Sequence, residues 1–504
     1  VEDWGQSDCW IRSPLVRRFR KQPLIISNIL NSGQHQAMKY RMSKRAPSKW
    51  LIASFVGMAV TMSAPNVSAQ TIYETLAKAY QSNPTLQAQR AELRSIDEGV
   101  PQAKSKWRPD LQFTSKLNKL QRRTNNIGGG LGAGNDTRTT YNGRFTLTQN
   151  VYEGGRTVAE ISQAKHEISR ERARLVVVEQ QVLLDAVTAY MNVVRDQAVL
   201  QLNIGNEQVL VRQLEATKDR FDVGEVTRTD VAQAESRYAR TTAERIQSEG
   251  DLEVSRAFYE QIVGENPVKV SQPDYPDNLP TSEADAVKLS SEKNPSVIVA
   301  IFNERASRDS IEAAKSDLLP NIDLVADARR GRDEGSSDRT ISDITLSAEL
   351  TVPIYQQGGV SSNIREAQQL ASRNLIRVEE ARRSAIEAGS GGWEKLLTAR
   401  ASIKSREAAV RAARIALEGV QQEAAVGSRT VLDVLDAEQE LLDAQVSLVR
   451  DQRDATVASY YLLSAAGRLT ARDLALPVKL YNFETNYKKV RDQMWGYEGQ
   501  LFKW

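Results

Sequence analysis

The sequence predicts an α+β fold in which two β-hairpins are set among very long helices, the same plan occurring twice. Three observations predict it. Four segments alternate apolar and polar residues with period two. Two proline-free stretches carry apolar pairs at spacings of three and four. Matched motifs recur in the same order after about 205 residues.

The hairpins come first. In 111–117, Leu111, Phe113 and Leu117 alternate with Gln112, Thr114 and Lys116; in 141–151, Tyr141, Phe145, Leu147 and Val151 alternate with polar residues. The second copy repeats this with Ile322, Leu324, Ala326 and Ala328, then Ile344, Leu346, Ala348, Leu350 and Val352. Strands are expected at 110–118, 140–152, 321–330 and 341–353. Period-two alternation puts one face in an apolar medium and the other in water. Any one such strand also suits a half-buried soluble sheet. Four of near-membrane length, in a chain with an export signal, favour a membrane wall and contact with a lipid bilayer. The intervening segments 118–139, with Gly128-Gly129-Gly130 and Gly132-Ala133-Gly134, and 331–340 have the composition of exposed loops. No Lys-Ser/Thr follows the glycines to make a phosphate cradle.

The helices follow. From Gly155 to Asp222 there is no proline, and Val182/Leu183, Ala186/Val187, Ala189/Tyr190 and Val193/Val194 form a seam. Long helices are expected at 155–222 and 360–426, ~100 Å each at about 1.5 Å per residue. Returning helices are expected at 226–263 and 430–467, and shorter ones before the strands at 85–107 and 296–317. The two shorter helices laid end to end nearly match the long one, which suits a wall of laterally packed helices. Gly389, Gly391 and Gly392 fall inside the second long helix, where each costs about 1 kcal/mol, so a break or kink is expected there.

The two copies span 70–263 and 283–469. Residues 264–282, with Pro267, Pro273, Pro276 and Pro280, read as the linker, and 470–504 as a C-terminal segment wrapping the middle of the helices, its last ten residues disordered. Before the first copy, 39–49 are basic, 50–62 are an apolar run of signal-peptide length, and Val67-Ser68-Ala69 offers a cleavage site. A transmembrane helix would need about 20 apolar residues. Residues 1–69 therefore read as a leader: the signal peptide begins at 38 or 42, and 1–37 lie upstream of the true start or extend the leader.

Of 67 Lys/Arg and 64 Asp/Glu, the leader holds ten and three, leaving 57 against 61. A slightly acidic remainder gives no electrostatic support for nucleic-acid binding. The single cysteine, Cys9, and the two histidines, His35 and His166, supply no metal cluster or disulfide, and no cofactor motif appears. His166 stands alone on a charged helix and reads as a surface residue. No nucleophile–base set accompanies it, so an enzyme is not expected.

Four strands cannot close a barrel, and their outer edges would be unsatisfied in lipid. Single-chain barrels begin at about eight strands, so several copies must pool theirs.

The repeated Asn83-Pro84 and Asn294-Pro295, the exits LTQNVYEGGR (147–156) and LTVPIYQQGG (350–359), and the turns Val223-Gly224 and Val426-Gly427 with their Asp-Val tails carry a family resemblance. With VGSRTVLDVLDAEQ at 426–439 as its most specific part, the chain resembles the TolC family of outer-membrane factors over about 71–490. The resemblance implies an α+β membrane protein: a homotrimer whose twelve-stranded β-barrel, four strands per subunit, continues into a long α-helical coiled-coil periplasmic tunnel. It implies the outer membrane of a Gram-negative bacterium, a periplasmic adaptor (membrane fusion protein) and an inner-membrane pump of RND or ABC type. The function implied is a passive exit duct for drugs, detergents, bile salts or secreted polypeptides. It marks Gly154, Gly155, Gly358 and Gly359 as strand-to-helix exits. Val223, Gly224, Val426 and Gly427 become helix-turn tips that dock the adaptor.

By the same resemblance, Asp433 and Asp436 line a periplasmic gate. Three residues apart, they share a helix face, and a threefold axis would make rings of carboxylates that attract cations and repel one another. Arg429 would be the latch, holding Thr229 and Asp230 of the other copy with its planar fork. The family's tyrosine five residues before that arginine is Ala424 here. The competing expectation is an elongated periplasmic coiled-coil adaptor or adhesin stalk without a pore.

Overall fold

The computed structural model describes residues 71–124, 134–333 and 339–496. The leader, most of the glycine-rich loop and residues 497–504 lie outside the described residues, as do 334–338 of the second loop.

In the first copy α1 (Ile72–Ser82), α2 (Pro84–Asp97) and α3 (Gly99–Ser105) lead into β1 (Asp110–Thr124) and β2 (Gly134–Glu153), then α4 (Arg156–Asp222) and α5 (Arg228–Val263). In the second, α6 (Glu283–Lys293) and α7 (Pro295–Lys315), with a short 3₁₀ turn, lead into β3 (Asn321–Arg332) and β4 (Thr340–Thr351), then α8 (Gly359–Ala425) and α9 (Val431–Ala465). A final helix, α10 (Phe483–Val490), lies in the C-terminal segment. The long helices α4 and α8 have 67 residues each.

The Asn-Pro pairs explain how each copy starts. The Asn83 side-chain oxygen accepts from Thr85 N–H and its amide donates to the Ile262 carbonyl; Asn294 accepts from Ser296 N–H and donates to the Ala465 carbonyl. Each asparagine thus caps one helix and fastens it to the last turn of the returning helix, while Pro84 and Pro295 sit where no N–H is needed.

Several elements depart from expectation. The helix placed at 85–107 is two, α2 and α3, broken at Glu98, whose N–H turns back to Ile96 and Ser95. Pro101 lies four residues past Asp97 and can donate nothing to its carbonyl. The interior of α7 has no proline, and it runs unbroken for 21 residues. The strands β1 and β2 extend nearer to their loop than the alternation alone indicates, and β4 stops at Thr351, before Pro353. The second long helix is also unbroken through Gly389, Gly391 and Gly392. A Cβ on Gly389 would lie 2.5 Å from Ser290 Oγ and 3.2 Å from the Ala286 carbonyl, and one on Gly392 would lie 3.3 Å from the Tyr461 ring. These glycines let α6 and α9 close onto α8; they do not bend it.

The core is a belt across the middle of the helices. Leu183 and Tyr190 of α4, Tyr259 of α5, Tyr460 and Leu463 of α9 and Leu76 of α1 are fully buried. Two of the tyrosine hydroxyls are hydrogen-bonded: Tyr190 OH donates to the Ser271 carbonyl at 2.8 Å, and Tyr259 OH meets Thr75 Oγ1 at 3.0 Å. The C-terminal segment closes the belt through Leu469, Ala471, Leu474 and Leu476. Buried Glu179 on α4 accepts the Ala471 N–H at 2.7 Å, and burial holds its carboxyl above the usual range.

Candidate functional site

One end of the molecule is a four-stranded antiparallel sheet in the order β1-β2-β3-β4, which leaves β1 and β4 as free edges. Its register gathers the alternation of all four strands. Phe113, Phe145, Ala328 and Ile344 form one row across the sheet, and Leu111, Leu147, Ala326 and Leu346 form the next. The interleaved rows, on the opposite face, are Gln112, Thr146, Asp327 and Thr345, then Thr114, Arg144, Arg329 and Asp343. A slip of one residue between any two strands would have scrambled the two sets. The apolar face is uncovered: Ile344 is 90% and Leu346 80% exposed. The polar face carries its own ion pairs, Arg144 with Asp327 at 4.0 Å and Arg329 with Asp343 at 3.8 Å. Thr146 Oγ1 also donates to Asp327. Among the described residues no helix is long and apolar enough to cross a membrane.

The strand exits use their glycines unequally. Gly154 and Gly155 have φ of 59° and 86°, and Gly358 has 78°. A Cβ on Gly154 would lie 2.6 Å from the Ser316 carbonyl, so this position needs glycine twice over. Gly155 and Gly358 are the N-caps of α4 and α8. The counterpart of Gly154 in the second copy is Gln357, at φ 57°, and Gly359 is simply the first residue of α8.

At the other end are the two helix turns. Val223 and Val426 cap α4 and α8, and Gly224 and Gly427 follow at φ 83° and 82°. Glu225 N–H returns to the Arg220 carbonyl and Ser428 N–H to the Glu423 carbonyl, which stops both helices the same way. Both valines are bare, Val426 at 81%. The returning helices then start with capping boxes. Thr227 pairs with Asp230 and Thr430 with Asp433, each threonine hydroxyl accepting the aspartate N–H and each carboxylate accepting the threonine N–H and hydroxyl.

This geometry redistributes the expected gate residues. Asp433 is half-buried and engaged with Thr430, whose backbone and side-chain hydrogen bonds hold its carboxyl below the usual range. A depressed carboxyl stabilises the fold above the ordinary aspartate range, and that contribution is lost as pH falls through the lowered value. Asp436 forms a salt bridge with Arg237 of α5, joining the two copies. Arg429 pairs with Glu423 across its own turn at 2.8 Å. Within one chain it reaches neither exposed Thr229 nor half-buried Asp230. The sequence did not single out Arg237, although it lies seven residues past Asp230 and so on the same side of α5. His166 is half-buried and not a surface residue: its Nδ1 meets Asp309 Oδ2 at 2.6 Å, tying α4 to α7. Among the described residues no three metal-ligating side chains converge.

A sheet with one uncovered apolar face and two open edges, joined to helices of 67 residues, is the fold of solved outer-membrane channels. The model of the outer membrane efflux protein family matches the chain twice, over 75–265 and 286–468, and the chain belongs to that family. It is 33% identical to the outer membrane efflux protein BepC of Brucella suis over 465 residues, 91% of this chain and 98% of the relative. It is 25% identical to the outer membrane protein TolC of Vibrio cholerae over 84% of this chain and 97% of that one. Among solved structures, the Campylobacter jejuni CmeC outer membrane channel superposes with a TM-score of 0.70 at 13% identity, covering 88% of this chain and 98% of CmeC. The protein is an outer-membrane efflux or secretion channel, and its relatives support that reading over the stalk alternative.

Proposed function

We propose that three copies join their sheets edge to edge into a twelve-stranded barrel, continuous with a tunnel of helices in the periplasm. One observation carries this: the sheet has a single continuous apolar face and two unpaired edges, a combination that lipid tolerates only when the edges are closed. The polar face, with Arg144, Arg329, Asp327 and Asp343, then lines the water-filled lumen. The chain reaches the outer membrane of a Gram-negative bacterium through a cleaved N-terminal signal peptide. There it serves as the passive exit duct of a tripartite efflux or type I secretion system. The periplasmic adaptor (membrane fusion protein) docks at the bare tips Val223-Gly224 and Val426-Gly427, and an inner-membrane pump of RND or ABC type supplies the energy. Drugs and detergents are the first choice of cargo.

The gate lies at the tips. Asp433 and Asp436 form rings around the axis, and closure is held by cross-copy bonds. Arg237–Asp436 is such a bond within the chain. Arg429 reaches Thr229 and Asp230 by leaving Glu423. Outer-membrane fractions run with and without boiling test the assembly: a heat-sensitive trimer is expected, and a folded monomer free in the periplasm would overturn it.

A further inference from the structure

We propose that the apolar face of the sheet carries a binding site for a phosphate-bearing lipid, with Arg330 on the phosphate and a notch at Gly143 receiving the upper part of an acyl chain. The site rests on the sheet being a membrane wall. In the ladder, Gly143 stands between Ser115 and Arg330. Having no side chain, it leaves a notch of about 340 Å³ lined by Phe113, Phe145, Ala328, Ile344, Arg330 and Ser342, and also by Arg329 and Asp343, which pair with each other. The Phe113 and Phe145 rings pack together at 4.6 Å between centroids and form one firm wall.

Arg330 is in the wrong company for an arginine of this sheet. It shares the parity of Ile322, Leu324, Ala326 and Ala328, so it stands on the apolar face, and it is exposed. The arginines of the polar face, Arg144 and Arg329, have aspartate partners, whereas Arg330 makes no ion pair among the described residues. A guanidinium on the lipid side of a barrel is unfavourable unless it meets an anion or the headgroup zone. Its planar fork matches a phosphate bidentately. Exposed Lys119, of the same pleat, lies further toward the hairpin end and extends the positive field beyond the apolar rows, whereas Arg332 pairs with Asp333. The helices leave from the opposite end of the strands, so the lipid belongs to the leaflet remote from them. Gly143 and Arg330 lie on the inner strands β2 and β3, so pairing at the edges leaves the site intact.

The full chain reconstituted in phosphatidylcholine vesicles doped with lipid A, or with the same lipid stripped of its phosphates, tests the site. Lipid retained by the released assembly is counted by native mass spectrometry. Wild type should retain the phosphorylated form about tenfold better. Arg330→Gln should lose that preference. Gly143→Val, which fills the notch at a residue with ordinary φ, should lower retention of both forms. Lys116→Gln, which removes a charge from the opposite face, should change neither. Equal retention of the two lipids by wild type, or an undiminished preference in Arg330→Gln, would overturn the site. Flotation of the vesicles separates the two levels: protein that floats without the preference refutes the lipid site alone, whereas protein that fails to float refutes the membrane wall beneath it.

Discussion

Thr227–Asp230 and Thr430–Asp433 begin the two returning helices with the same reciprocal hydrogen bonds, and this binds two of the acids nearest the tips to a local structural task. Asp436, among the described residues, is held by Arg237, and that pair is partly exposed, at 28% and 57%. Exposed ion pairs contribute about 0–1 kcal/mol each, so closure built on them opens on modest force. Arg237→Ala is expected to raise single-channel conductance in planar bilayers to a similar extent as Asp436→Ala, with the double variant little different from either. Were Arg429→Ala with Asp230→Ala to open the channel and Arg237→Ala to leave it closed, the holding contact would be the one Arg429 makes after leaving Glu423. The family resemblance singled out the aspartates, and their spacing of three put them on one helix face. Which arginine each meets depends on how α5 and α9 cross, and no spacing along one helix encodes that.

At the scale of elements, the strands and long helices were legible because each carries its period over many residues. Ile344, Leu346, Ala348 and Leu350 alternate without interruption, and the Val182–Val194 seam repeats through three turns. The helices α1, α6 and α10 were not foreseen. With 11, 11 and 8 residues they are too short for periodicity to separate from chance, and they are fixed by caps at Thr71, Ser282 and Asn482. Gly389 and Gly392 were misjudged because propensity describes a helix alone, whereas their role is the approach of α6 and α9. Substitution separates the two ideas. Gly391 faces only its own helix's Glu387, so Gly391→Ala should stabilise by about 0.5–1 kcal/mol. Gly389→Leu should destabilise by roughly 1–3 kcal/mol through overpacking against Ser290. Thermal melting of the two variants reads the difference, and a kink-dependent role would make both changes harmful.

Across the whole molecule, two ends of opposite chemistry are separated by a belt of buried tyrosines and leucines. The sheet end carries an uncovered apolar face, and the turn end carries exposed charged residues. Ile344→Arg puts a charge in the middle of the apolar rows of β4, where a barrel loses ~2–4 kcal/mol per subunit if the position lies near mid-bilayer. Trimer recovered from outer membranes should fall sharply, while Thr345→Arg, one residue along on the polar face, should assemble normally. Equal recovery of the two would mean that the apolar face does not touch lipid.

The open edges β1 and β4 also bear on how such a pore comes into being. In the proposed assembly a solitary copy would offer the bilayer two rows of bare peptide groups, which lipid does not tolerate, so entry would be collective and wait until enough partners have met. The appearance of finished pores would then climb more steeply than the supply of chains, and a modest drop in synthesis would leave the cell surface disproportionately sealed.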